Sequence, residues 1–270
     1  MTPAAIPASV SAATTAASAA APTAVTAPTP VLRTALRRLG RLLPTPVGTP
    51  FTFCYALVLI ATTVFADLGN QTTVSLLLRG SSTDVAHLAQ TPLLVLFAST
   101  LWVAGGLLSP YALGFLLVLT ALERRIGGLR TAAVFLLGHV LATLATELPV
   151  AVAVAVGHLP EASLHRLDYG ISFGLMASTG ALAGLLRPWL RWAVLGGVGA
   201  MLLSDLVEFS DPLTNWGHPL SLLIGVAAWP LVRAWSRDGG LGRASRRAPL
   251  NSPQVPGRDP DPSARGPRSA

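Results

Sequence analysis

Lysine is absent from this chain of 270 residues, cysteine occurs once, and charged residues make up only 11% of it. An average soluble domain carries about 25% charged residues, so a surface bathed wholly in water is excluded. The single Cys54 excludes an internal disulfide framework and a multi-cysteine metal site. It lies in an apolar run and is expected to be packed or lipid-facing. That all 19 basic residues are arginine reads as the bias of a GC-rich genome rather than as a mechanism. No Gly-rich phosphate loop or dinucleotide fingerprint is present, and His87, His158 and His165 lack metal-ligand spacing. No cofactor and no metal are therefore expected. The arginines near the C-terminus have no interleaved aromatics, so nucleic acid is not an expected partner either.

What the chain does have is apolar length. Hydrophobic residues make up 51% of it, gathered in runs at about 50–67, 104–122, 131–152, 170–187, 190–208 and 213–235. At about 20 residues per helical span, these runs predict six membrane-crossing helices. A further run, 92–103, is too brief to span and predicts a re-entrant or interfacial element between Pro92 and Gly105-Gly106. Residues 1–45, rich in Ala, Thr and Pro, read as a disordered arm ending in a basic interfacial segment with Arg33, Arg37, Arg38 and Arg41. Residues 46–235 form the six-helix membrane domain, and 236–270 a disordered basic tail.

The arginines orient this bundle. With both termini in the cytoplasm, only Arg79 and Arg166 fall on the outer side, which leaves 17 of 19 inside. The positive-inside rule is then satisfied at every loop. The expected partner is the lipid bilayer of a cell membrane. The sequence does not fix the oligomeric state.

Two polar elements open apolar runs on the outer side. In Asp168-Tyr169-Gly170-Ile171-Ser172-Phe173-Gly174, Asp168 is a candidate N-cap. Ser172 then lies near the free N–H groups of a helix start, where an oxyanion is stabilised. Alternatively, Ser172 is one more small residue in the packing ridge of Gly170, Gly174, Ser178 and Ala181. In Asn215-Trp216-Gly217-His218-Pro219, His218 shares a helix face with Ser221 and Gly225. It is either an interfacial histidine or a base. A serine and a histidine at one depth on neighbouring helices make a minimal nucleophile and base pair. A third set, His139, Thr143 and Glu147, steps by four along one run. It marks either an ion pathway, as in a small transporter, or a structural line of helix contacts.

In the order and spacing of these motifs the sequence resembles the rhomboid family of intramembrane serine proteases, as a divergent bacterial branch, over about residues 50–235. Gly170-Ile171-Ser172 is similar to the family's serine motif on the fourth span. His218 with Ser221 and Gly225 is similar to its histidine motif on the sixth, and Glu123-Arg124-Arg125-Ile126-Gly127 to its signature after the second. The resemblance implies an all-α, polytopic membrane protein with a rhomboid-like six-transmembrane-helix core. It implies Ser172 as nucleophile and His218 as general base, cleaving transmembrane segments of membrane proteins near the outer leaflet. The family's His-x-x-x-Asn oxyanion pair is replaced: counting back from Glu123 lands on Leu107 and Tyr111. Tyr111 is thus the oxyanion candidate, and a catalytically inactive relative that binds transmembrane helices is the alternative.

Overall fold

The computed structural model describes residues 40, 42–208 and 212–247. Over these residues the chain forms ten α-helices, two 3-10 turns and no strand. In chain order, α1 spans Pro50–Leu68, α2 Gln71–Gly80, α3 Val85–Gln90, α4 Pro92–Ala98 and α5 Pro110–Ile126. They are followed by α6 (Gly128–Ala155), α7 (Ser172–Ala183), α8 (Pro188–Glu208), α9 (Pro212–Ala227) and α10 (Trp229–Arg247). Proline opens α1, α4, α5, α8 and α9, because the first helical position needs no N–H and suits its fixed φ.

Every one of the six apolar runs becomes helix, and the protein is a polytopic all-α membrane protein. Among the described residues three helices, α1, α6 and α8, are long and apolar enough to cross a bilayer alone; α9 and α10, bent by 48° at their junction, add a fourth if the pair is one span, so fewer than the six expected runs have the length and composition of an unbroken crossing. The bend falls next to Pro230, whose ring clashes with the carbonyl four residues back. The brief run at 92–103 becomes α4 and the 3-10 turn Ser99–Leu101. The membrane-domain boundary expected at residue 235 falls inside α10, so residues 236–247 are helical rather than part of a disordered tail. The arginines of the basic segment, Arg33, Arg37, Arg38 and Arg41, and the end of the chain from 248 lie outside the described residues.

The Glu123–Gly127 signature has a structural task. Glu123 is buried at the end of α5 and accepts hydrogen bonds from Phe51 N (3.0 Å), Thr52 N (2.8 Å) and the Thr52 hydroxyl (2.6 Å). It thereby caps the start of α1 with a carboxylate where the helix dipole is positive. Gly127, at φ +88°, makes the single-residue turn from α5 into α6. A side chain there would be strained.

The short helix α7 is the centre of the bundle. Every residue from Phe173 to Ala183 is buried, against α5, α6 and α9. Glycines set how closely its neighbours approach. A Cβ at Gly225 of α9 would collide with the backbone of Ala177 and Ala181, and one at Gly180 with the backbone of Leu222 and Val226. Ser221 also donates a hydrogen bond to the Phe173 carbonyl. Small residues thus make the fourth and sixth apolar runs direct neighbours, through Ala177 and Gly180. Gly174 faces the ring of Phe135 on α6. Phe135 in turn meets Phe115 and Tyr55 edge-on, at 6.2 and 5.4 Å between ring centroids.

Candidate active site

With 12 residues, α7 is about 18 Å long, well short of the roughly 30 Å of a bilayer's hydrocarbon core. At least one end of it therefore lies below the membrane surface. Ser172 is its first residue. The chain reaches this start through Gly170, whose φ of +130° is open to glycine and strained for other residues. The Gly170 N–H donates to the Ser99 carbonyl at 3.0 Å, so the 3-10 turn after α4 holds the approach to Ser172.

The N-cap of α7 is not the expected Asp168. Ile171, not Asp168, precedes the first helical residue, and no side chain caps it. Asp168 lies in the loop before, where its carbonyl accepts from Thr83 N at 2.8 Å. Its N–H donates to the Ser82 hydroxyl at 3.0 Å. The first N–H groups of α7 are thus left without a side-chain cap, a donor array at the positive end of a helix.

On α9, Pro212 opens the helix and His218 is its seventh residue, about 10 Å in. His218 is 3% exposed. Its ring packs between Tyr111 of α5, at 5.7 Å and 31°, and Phe173 of α7, at 5.5 Å and 79°. Asn215, one turn earlier, ties α9 to α8 by donating to the Asp205 carbonyl at 2.7 Å.

Ser172, His218 and Tyr111 line one cavity of about 290 Å³, together with Ala104, Leu167, Asp168, Tyr169, Gly170 and Ile171. The three residues singled out from sequence thus meet at one place, across helices separated by up to about a hundred residues. Leu107 does not join them: it lines other cavities, on the α1 side of α5. Sequence reasoning missed Ala104, Leu167 and Tyr169 as lining residues. For Leu167 and Tyr169 the signal was their closeness to Ser172 in the chain. For Ala104 the sequence offered only the neighbouring Gly105-Gly106 pair.

The loop above the cavity is held by charge. Arg166 donates to Glu147 of α6 at 2.5 Å and lies 3.8 Å from the Asp168 carboxylate. Glu147 is 2% exposed, and the chain of contacts runs on to Thr83, whose hydroxyl donates to Asp168 at 3.2 Å. The line His139, Thr143 and Glu147 is buried. His139 Nε2 sits 3.1 Å from the Ser99 hydroxyl, so this line braces the loops on both sides of the cavity.

Beside the cavity lies a second, largely apolar one of about 440 Å³ between α5, α7 and α8, reaching from Tyr111 to Met201. Tyr111 lines both. The helix α8 closes its outer side loosely, with Leu202 as its one buried residue.

Comparison with known proteins gives one result. A family model described as rhomboid-like protein matches residues 47–238, well over half of the chain. No curated protein and no solved structure matches. The matched range takes in the cap at Glu123, the start of α7 at Ser172 and the whole of α9. This chain belongs to the rhomboid-like family.

Proposed function

We propose that the protein is an intramembrane serine protease, with Ser172 as nucleophile and His218 as general base. The observation that carries this reading is the shared cavity: a half-buried serine at an uncapped helix start and a buried histidine line the same space. In the step, the Ser172 hydroxyl oxygen bonds to the scissile carbonyl carbon while its proton passes to a nitrogen of His218. The carbonyl oxygen becomes an oxyanion, held by the first N–H groups of α7 and by the Tyr111 hydroxyl. The protonated His218 then gives its proton to the leaving amine, and water releases the acyl chain by the same route.

The substrate would be a transmembrane segment of another membrane protein. The apolar cavity between α5 and α8 supports that class, because it adjoins Tyr111 and is walled by a helix with little packing of its own. Both termini would lie in the cytoplasm of a cell with this protein in its plasma membrane, on the arginine distribution. Cleavage would then occur near the outer leaflet.

One observation favours a second reading, that of a catalytically silent relative which binds transmembrane helices. Leu107 offers no hydrogen-bond donor and lies away from the cavity, so one of the two side-chain donors the resemblance implies is missing. A lost oxyanion donor costs about 10²- to 10³-fold. Labelling by a serine-reactive phosphonate in detergent separates the two. The protease reading expects labelling of the wild type and none of Ser172→Ala. An unlabelled wild type that still binds transmembrane segments would favour the silent relative.

A further inference from the structure

At the end of α7 opposite Ser172, two arginines distant in sequence converge. Arg191, in the first turn of α8, donates through Nε to the Ala183 carbonyl at 3.0 Å and through Nη2 to the Leu186 carbonyl at 3.2 Å. Arg233 of α10 donates through Nε to the Gly184 carbonyl at 3.1 Å. Both guanidinium groups stand over the ring of Trp229, at 5.0 and 4.9 Å from its centroid. Trp229 is itself fixed by donating Nε1–H to the Gly180 carbonyl at 2.8 Å. A Cβ at Gly184 would collide with this ring, so the three side chains and the end of α7 form one packed unit.

The carbonyls of a helix end and an aromatic face both attract cations, but neither supplies a full negative charge. Among the described residues no carboxylate pairs with Arg191 or Arg233, and the first turn of α8 holds no acidic residue. A guanidinium carries five N–H donors. The carbonyl bonds employ one nitrogen of Arg233 and two of Arg191, which leaves donors on both for an outside acceptor. The depth of this site is marked by Trp189 and Trp192, three residues apart on α8 and 68% and 64% exposed. Exposed tryptophans of membrane helices gather at headgroup level. Two planar guanidinium forks at that level, with net positive charge, have the chemistry of phosphate recognition.

We propose that Arg191 and Arg233 form a binding site for a phosphate group, brought by an anionic phospholipid headgroup or by free phosphate. Occupancy neutralises two like charges held over one ring and ties α8 and α10 to the end of α7. The site is separate from the cavity at Ser172 and does not depend on the protease reading.

The test uses the full chain, stripped of lipid in a neutral detergent. Native mass spectrometry would compare retention of phosphatidylglycerol with that of phosphatidylcholine. Thermal unfolding would be followed with each lipid and with inorganic phosphate. The wild type is expected to retain phosphatidylglycerol in preference and to gain thermal stability from it. In Arg233→Gln that binding should weaken about ten-fold, the scale of one lost charge-assisted hydrogen bond. Arg79→Gln, on α2, should bind as the wild type does. A stability gain with inorganic phosphate, lost in Arg233→Gln, would support the site with a soluble source; a gain with the lipid alone would support the lipid source. If Arg233→Gln does not fold, Arg233→Lys keeps the charge and loses the fork, and should still bind more weakly. Equal retention of the two lipids by the wild type, with no response to inorganic phosphate, would overturn the proposal.

Discussion

The pair α7 and α9 and the single helix α8 are built on opposite plans. In α7, all residues after Ser172 are buried, and glycines on both helices let backbone meet backbone at Gly180 and Gly225. In α8, three glycines, Gly196, Gly197 and Gly199, face open space, and Leu202 alone is buried. A protein interior transmits small displacements because it is close-packed, so the first arrangement fixes the relative positions of Ser172 and His218. The second gives the apolar cavity at Tyr111 a wall with few contacts to lose. Composition does not separate the two plans, since both segments are glycine-rich and apolar. The partners met by each glycine do.

Substitutions that exchange these properties test the comparison. The largest effect is expected at Gly225→Leu, where the added side chain meets the backbone of Ala177 and Ala181 rather than a movable side chain. A loss of about 3 kcal/mol, the upper part of the range for overpacking, should appear as a lowered midpoint of thermal unfolding in detergent. An unchanged midpoint would show that α9 sits less tightly on α7 than the structure has it. Next comes Tyr111→Phe, which keeps the ring beside His218 and removes the hydroxyl. If the hydroxyl binds the oxyanion, kcat should fall about 10²-fold with stability little changed. An unaltered kcat would leave the oxyanion to the backbone of α7 alone. A smaller loss, about 1 to 2 kcal/mol, is expected from Glu123→Ala, which frees two N–H groups at the start of α1. The smallest effect belongs to Gly197→Leu on α8, within about 0.5 kcal/mol. A marked loss there would mean that this face has a partner.

Much of this was legible in the sequence, and the reasons are local. Apolar runs of span length gave the helices, and order and spacing of short motifs pointed to Ser172 and His218. Small residues at helical spacing marked α7 and α9 as neighbours. Other features depended on contacts between distant residues, which no local pattern encodes. Glu123 caps a helix about 70 residues earlier, and Arg166 reaches back to Glu147. Arg191 and Arg233 bind the end of α7, although in the sequence they counted only as positive charge for orientation. The shortness of α7 was also hidden. The apolar run 170–187 continues through the turn at Gly184–Leu186, where the helix has already ended. Asp168 has the residue type of a cap, but the loop before α7 is fixed by its bonds to Ser82 and Thr83 instead.

The central claim is that the rigid pair α7 and α9 presents a working serine and histidine. Its most direct test is cleavage of a reporter transmembrane segment by the full chain reconstituted in liposomes. The account predicts cleavage within the segment by the wild type, falling by about 10³-fold or more in Ser172→Ala and in His218→Ala, with both variants folded. Equal cleavage by Ser172→Ala, or a wild type that binds the reporter and leaves it intact, would contradict it.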